Sequence, residues 1–394
     1  MKTIKDLDLD GKRVIVRVDY NVSVDNGKII NTKKIDDSFE TIDYLVGKGC
    51  KIILLSHFGR VKSEADKATN SLKVVYEYIK SLEKYDILFS EEPMGQSLEG
   101  IVGNLKSGQI VLAENTRFLD LKGNLESGCD IQLAAYWASL ADIYIDDAFA
   151  SMHRNHASVT GIPRFIPSAI GFLVLKEIDG LNKVVNNPIN PFVVVMGGAK
   201  LDDKINLIYG LVEEADYLLL GGGIANTFLK SLGYNVGASL VSDEMVEKAK
   251  DILLEYKDKI LLPNDVITSP SYSETEYVQK SIDDILDDDV IGDIGFETVE
   301  SYRKVIDEAK TIFVNGTVGM YEKKEFSNGS VEILDAVAQS DAYKVVGGGD
   351  AISALKKFGK EEGIDFISTG GGATLNYIEK KELVGLDAIN NSKA

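Results

Sequence analysis

The sequence predicts an α/β fold: two doubly wound, Rossmann-like parallel-sheet domains joined by a linker helix and hinge. Short runs rich in Val, Ile and Leu recur along the chain, helix-like stretches alternate with them, and glycines and polar residues cluster just after each run. Strands that are apolar on both faces and alternate with helices belong to parallel sheets covered on both sides. In such sheets ligands bind beyond the C-terminal ends of the strands, where these polar turns lie. A length of 394 residues fits two domains, and 44% hydrophobic residues can build a core in each.

Four strands are expected before residue 172, from RVIVRVDYN (13–21), KIILLSHFG (51–59), QIVLAENTR (109–117) and ADIYIDDAF (141–149). GFLVLKEIDGLNKVV (171–185) then predicts a helix, stopped by the Pro/Asn-rich NNPINP. Six more strands follow, from FVVVMGGAK (192–200), DYLLLGGGI (216–224), KILLPND (259–265), KTIFVNGTVG (310–319), YKVVGGGD (343–350) and DFISTGGG (365–372). The expected organisation is an N-terminal domain over 1–172, a linker helix over 173–186 and a second domain over 187–374. SIDDILDDD (281–289) reads as a solvated acidic loop or helix end.

Composition narrows the function. With 43 basic against 62 acidic side chains the net charge is −19, which disfavours nucleic acid as a partner. The excess is uneven: residues 1–186 carry 23 basic and 26 acidic side chains (−3), and residues 187–394 carry 20 and 36 (−16). Cys50 and Cys129 lie far apart with no CxxC or Cys/His cluster, so neither a disulfide framework nor a structural zinc site is implied. The N-terminus is charged and has no apolar leader-like stretch, and no run of 18 apolar residues occurs, so no membrane partner and a cytoplasmic location are expected.

Arginine is rare, seven among 43 basic residues, so its positions are informative. Arg60, Arg117 and Arg154 each follow a strand, and the three histidines, His57, His153 and His156, share two of those segments; Asp19 and Asn21 follow a fourth strand. Guanidinium groups offer bidentate donors to phosphate and carboxylate, so this edge suits a small, highly charged acid. Separate surface ion pairs are the plainer reading of the same arginines. His153 and His156, three apart, also have a metal-compatible spacing, though without a carboxylate or cysteine beside them.

The second half repeats another device after its strands: GGAK (197–200), GGG (221–223), GGGD (347–350) and GGG (370–372). Without a Cβ, glycine lets backbone N–H groups approach an anion, and a following helix turns its positive end toward it. A nucleotide phosphate tail is the natural guest. Neither GxxxxGK[ST] nor GxGxxG occurs, which excludes a Walker-type site and an evident dinucleotide site. Lys200 and Lys204, four apart, are expected to share a helix face, and Asp350 to hold the Mg²⁺ that a nucleotide carries.

Two anion sites on two domains imply a hinge-bending phosphotransferase for a small molecule. The ordered motifs RVDYN, SHFGR, ENTRF, DDAF with HRNHAS, GGAKLDDKI, GGGIANTFL, LPND, DIGFET, VNGTVGMYE, GGGD and STGGGATL resemble those of the phosphoglycerate kinase family over essentially the whole chain. The resemblance implies 3-phosphoglycerate or 1,3-bisphosphoglycerate bound by Asp19, Asn21, Lys34, His57, Arg60, Arg117 and Arg154. It implies MgATP or MgADP held by Gly197, Gly198, Ala199, Lys200, Lys204, Gly221, Gly222, Asn315, Glu322, Gly347, Gly348, Gly349, Asp350, Gly371 and Gly372. Lys34, Lys204 and Arg154 would serve the transferring phosphoryl group, residues 375–394 would pack back on the N-terminal domain, and the family is usually monomeric.

The chain departs from the family pattern. Lys34 stands where the family has arginine; Ser23, Val61, Phe296 and Thr317 replace prolines; Ala150, Met152, Asn226 and Ala351 are also unusual. Lysine keeps the charge but lacks the planar fork, so an active, slowed kinase is expected. The alternatives are a catalytically weakened nucleotide-binding paralogue, or a kinase for another small phosphorylated acid.

Overall fold

Aliphatic runs buried on both faces need sheets covered on both sides, and each of two compact units in the computed structural model is built that way. Residues 1–393 are described. One unit comprises Met1–Ile178 with the chain's end from Glu382; the other is Asp179–Lys381.

The first unit contains β1 (Arg13–Arg17), the hairpin β2 (Val24–Asp25) and β3 (Lys28–Ile29), then β4 (Lys51–Leu55), β5 (Ile87–Ser90), β6 (Ile110–Ala113), β7 (Ile143–Asp146) and β8 (Ser168–Ile170). Its main sheet runs β5-β6-β4-β1-β7-β8, every neighbour parallel. Successive side chains face opposite ways. Val14, Val16, Ile52 and Leu54 therefore join one core, and Ile15, Ile53, Leu55 and Val111 another on the opposite face. Helices α1 (Lys33–Asp36), α2 (Phe39–Gly47), α3 (Lys73–Ser81), α4 (Gln96–Asn104) and α5 (Ile131–Ser139) alternate with the strands. The start of α5 follows from its sequence: the Asp130 side chain accepts from Leu133 N, and Leu133, Ala134, Trp137 and Ala138 form its buried stripe. Strand order reverses beside β1, which opens a crevice at its C-terminal end.

Helix α6 (Phe172–Val185) carries the chain from one unit into the other. Asp147, fully buried at the end of β7, accepts from Leu173 N at 2.9 Å and so caps this helix.

The second unit contains β9 (Phe192–Met196), β10 (Tyr217–Leu220), β11 (Ile260–Leu261), β12 (Asp265–Ser269), β13 (Val278–Ser281), β14 (Val290–Ile294), β15 (Thr311–Asn315), β16 (Tyr343–Gly347) and β17 (Phe366–Ser368). The parallel order is β11-β10-β9-β15-β16-β17, reversing between β9 and β15. Its helices are α7 (Ile205–Val212), α8 (Gly222–Ser231), α9 (Val246–Tyr256), α10 (Phe296–Glu308), α11 (Asn328–Gln339), α12 (Gly349–Lys357) and α13 (Gly372–Lys380). Helix α14 (Val384–Asn390) belongs to the first unit, where Gly385 N donates to Met152 O at 2.9 Å. Because α13 packs on α7 within the second unit, the chain leaves that unit at Lys381 rather than at residue 375.

The structure corrects several sequence expectations. The first sheet has six strands rather than four: the edge strands β5 and β8 are short and carry polar residues, so neither forms a long apolar run. The antiparallel sheet β13-β12-β14 leaves little mark on the sequence, since exposed β13 has no apolar face. In the acidic segment 281–289, Asp289 is buried, accepting from Lys280 Nζ at 2.6 Å and Leu286 N at 2.7 Å, so it is a turn-closing residue rather than a solvated one.

Candidate functional sites

In the first unit, loops after β1, β4, β6 and β7 bring Asn21, His57, Gly59, Arg60, Arg117, Arg154 and His156 around a cleft of about 440 Å³. Their placement depends on neutral residues. Asn21 Oδ1 accepts from Gly59 N at 2.9 Å, fastening the first loop to the second. Asn115 is fully buried and holds the second loop from both sides: Oδ1 accepts from Phe58 N, and Nδ2 donates to Phe58 O and Asn70 O. Arg117 Nη1 donates to Gly59 O at 2.7 Å, and Arg154 Nε donates to His153 Nε2 at 3.3 Å.

None of Arg60, Arg117 and Arg154 has a carboxylate within 4.0 Å among the described residues, so they are not separate surface ion pairs. Three cations face one cleft with no carboxylate in ion-pair contact; Asp120 and Glu126 act on Arg117, and Asp19 on Arg154, only from beyond that distance. Burial first, then the neighbouring guanidinium groups, lowers the pKa of Arg117 and Arg154. The same causes keep both cleft histidines neutral: His57 falls well below its ordinary value, and His156 falls to about 3.

Lys34 and Asp19 do not line this cleft. Lys34 Nζ donates to Asp19 Oδ2 at 2.8 Å and lies 3.3 Å from Asn21 O, while Asp19 Oδ1 accepts from Asn21 N at 3.2 Å. Both stand behind Asn21, tied to each other. Met152 is fully buried beside Gly385, so its size concerns packing against α14 and not the cleft.

The second unit's cleft, about 370 Å³, is made differently. Backbone of Gly198, Ala199, Gly222 and Gly223 forms one wall; Thr317, Glu322 and Asp350 stand on another; Leu240, Ile291, Met320 and the Tyr272 ring give an apolar slot. The glycines are steric requirements. A Cβ on Gly223 would lie 2.0 Å from Ala199 O, and Gly348, at φ +94, would bring one 2.6 Å from Asn315 Nδ2. Gly197 and Gly221 sit at the strand ends behind this wall, where N–H groups of both are used, donating to Asn315 O and Met196 O respectively.

Lys200 and Lys204 do not share a helix face. After GGAK the chain makes a turn, α7 begins only at Ile205, Lys200 is exposed, and Lys204 is the N-cap residue. Lys204 Nζ instead bonds Asn315 Oδ1, while Asn315 Nδ2 donates to Gly347 O at 2.8 Å. Burial lowers the Lys204 pKa, opposed by Asp350 and Asp203. Gly347 and Gly349 flank that turn at the end of β16 and the start of α12. Gly371 and Gly372 open α13 after β17 and do not line the cleft.

Sequence reasoning named His156 only as one of the histidines in the arginine-bearing segments, and it missed Asn115 and the whole apolar slot. Two of the departures, Asn226 and Thr317, line the second cleft, and Asn226 Nδ2 donates to Leu240 O at 3.2 Å.

Comparisons with known proteins agree over the full length. The phosphoglycerate kinase family model matches residues 4–381. The chain is 44% identical to phosphoglycerate kinase of Enterococcus faecalis over 393 residues, 99% of each chain, and 43% identical to that of Lactobacillus gasseri over 98% of each. Among solved structures, phosphoglycerate kinase from Coxiella burnetii superposes with a TM-score of 0.90 at 34% identity, covering 99% of both chains. The enzyme from Pyrococcus horikoshii gives 0.82 at 31% identity, covering 99% of this chain and 98% of its own.

Proposed function

The chain belongs to the phosphoglycerate kinase family, and on that premise we propose how its two clefts divide the work of the enzyme. It is a phosphotransferase with a carboxyl group as acceptor, moving a phosphoryl group reversibly between 1,3-bisphosphoglycerate and ADP to give 3-phosphoglycerate and ATP. Nothing in these relatives favours a weakened paralogue. No helix is long and apolar enough to cross a membrane among the described residues.

The first cleft takes the acid. Three guanidinium groups without carboxylate partners carry this assignment, since a doubly anionic phosphate and a carboxylate supply the missing counter-charges. Arg60, Arg117 and Arg154 grip those groups, with His57 and Asn21 as neutral partners and Asp19 holding Lys34 at the edge. The second cleft takes the nucleotide: its base enters the slot of Leu240, Ile291 and Met320, Glu322 meets the ribose, and the phosphates lie against the turns at Gly197–Lys200, Gly221–Gly223 and Gly347–Asp350. Gly371 and Gly372 support this edge from the next strand.

The family uses its nucleotide as the magnesium complex. Asp350, a carboxylate on the first turn of α12 facing the cleft, fits that ion, because Mg²⁺ is commonly held by one or two carboxylates plus substrate phosphates. When bound, the ion supplies neutralisation of the nucleotide phosphates.

Phosphoryl transfer asks for in-line positioning and charge neutralisation, and a carboxylate nucleophile needs no general base at neutral pH. Lys204, Lys34 and Arg154 meet the charge on the phosphoryl group in flight, and Lys200 holds the nucleotide phosphates. Bending about α6 brings the two ligands together and excludes water. A coupled assay with 3-phosphoglycerate and ATP tests the reading. Turnover at background, with nucleotide still raising the melting temperature, would refute it.

A further inference from the structure

Arg17 ends β1 after the aliphatic run Val14–Val16 and is fully buried, yet it has no carboxylate within 4.0 Å among the described residues. Its guanidinium is spent on three neutral acceptors. Nε donates to Ser158 Oγ at 2.9 Å, Nη1 donates to Val18 O at 2.5 Å, and Nη2 lies 3.0 Å from His57 Nδ1. Ser158 is anchored in turn by buried Glu126, whose Oε2 accepts from Ser158 N at 3.0 Å and whose Oε1 accepts from Ser158 Oγ. One planar cation thus ties the end of β1 to two distant loops.

The contact with His57 also places the ring proton. A guanidinium has donors only and stays charged, so the partner nitrogen of His57 must be the acceptor. A ring that accepts at Nδ1 carries its single proton on Nε2 and is neutral. Burial first, then the charges that face the ring from neighbouring elements, Arg17, Arg117 and Arg154, oppose its protonation, and His156 beside it, itself neutral, supplies no counter-charge.

We propose that Arg17 is a positioning residue for the acid site: it fixes His57 as the neutral Nε2–H tautomer, so that His57 meets the ligand as a directional hydrogen-bond donor and not as a further cation. The proposal rests on the reading of the first cleft as the site of the acid. Arg17 does not itself line that cleft, whereas His57 does. Charge recognition is left to Arg60, Arg117 and Arg154, and His57 contributes geometry.

The chain's three histidines make a direct test practical in the full-length protein. With ¹⁵N-histidine labelling, and His57 assigned by His57→Gln, the ligand-free enzyme is expected to show Nδ1 in the unprotonated and Nε2 in the protonated range from pH 5 to 8. A protonated Nδ1, or a ring that titrates near 6.5, overturns the proposal without any variant at position 17. In Arg17→Met the ring is expected to lose this fixed tautomer, and KM for 3-phosphoglycerate to rise about tenfold, the loss of one charge-assisted hydrogen bond, while KM for ATP stays unchanged. Arg17→Lys, which keeps a donor, should recover part of the loss. An unchanged KM in a folded Arg17→Met whose His57 tautomer has changed overturns the positioning role. A wild-type His57 Nε2 signal that does not move on saturation with 3-phosphoglycerate overturns the acid-site reading instead.

Discussion

Replacing Lys34 separates two accounts of the edge of the acid site. In the structure Lys34 Nζ is 2.8 Å from Asp19 Oδ2, with the lysine side chain 40% exposed. Asp19 is only 9% exposed but keeps the Asn21 N–H when the lysine leaves, so releasing the lysine toward a transferring phosphoryl group costs more than the about 0–1 kcal/mol of a surface pair and less than the about 3–5 kcal/mol of a fully buried one. A preorganised donor at developing charge contributes about 10²–10³ in kcat. Lys34→Ala should therefore lower kcat by about 10²-fold in the coupled assay, with KM for ATP little changed. Lys34→Arg should raise kcat by up to about tenfold, because the planar fork adds one further charge-assisted bond. If Lys34→Ala keeps more than about a third of wild-type kcat, Lys34 is no donor to the transferring group and serves only to hold Asp19.

Two further outcomes are expected. Gly223→Ala places a Cβ 2.0 Å from Ala199 O, a backbone atom that cannot swing aside; calorimetric affinity for ADP should fall at least about tenfold through displacement of the Gly198–Ala199 wall, and unchanged ADP affinity would contradict that wall's role. Stability should also fall as pH rises from 6.5 to 8. Burial raises the pKa of Asp293 from its ordinary 3.8 to about 8, against the opposing pull of its Gly329 and Ile294 N–H donors. The folded protein thus keeps a proton that the unfolded chain has released, so this stabilisation is complete below pH 3.8 and is lost as pH rises through about 8. Asp147, raised to about 7, adds to the slope in its lower part. The neutral histidines act at the other end: with His156 lowered to about 3, their stabilisation is present above 6.5 and lost as pH falls. Urea unfolding between pH 6.5 and 8 should show a slope of order 1 kcal/mol per pH unit, of which Asp293→Asn removes the part above about pH 7 that Asp147 does not supply; a flat wild-type profile would mean that Asp293 is ionised by those two donors.

What is legible in the sequence depends on contrast. Arg60, Arg117 and Arg154 stand out because lysine is used nearly everywhere else, and their positions after aliphatic strands are enough to put them on one sheet edge. Arg17 is equally visible and opens the RVDYN motif, but as the last residue of RVIVR it reads as part of the strand and not of the polar turn that Asp19 and Asn21 mark; only the fold brings His57 and Ser158 to it across 40 and 141 residues. The apolar slot is hidden for the opposite reason. Leu240, Ile291 and Met320 look like core residues in any linear pattern, and Tyr272 lies in an irregular segment. Strand edges escape notice in the same way, since β5 and β8 lack the uninterrupted hydrophobicity that marks central parallel strands. The helical reading of Lys200 and Lys204 fails because four-residue spacing implies one face only once a helix has begun, and here a turn intervenes.

The charge asymmetry of the chain follows from how each cleft handles an anion. Residues 1–186 are nearly neutral overall, yet their cleft concentrates three uncompensated guanidinium groups, and a further cation there would add repulsion without adding direction. Burial and the neighbouring guanidinium groups keep His57 and His156 neutral and so avoid that, and at His57 the contact with Arg17 also fixes the hydrogen-bonding sense of the ring. Residues 187–394 carry an excess of 16 negative charges, so a site built on mobile cations would be weakened by its own surroundings. Backbone N–H groups in the turns after β9, β10 and β16, beyond those of Gly197, Gly221 and Gly222 that already donate within the fold, escape this, because their partial charges are fixed by the fold and act only at contact range. Close packing of the two turns that carry them is what demands glycine: a Cβ at 223 would lie 2.0 Å from Ala199 O, so any side chain there would push the Gly198–Ala199 backbone out of place.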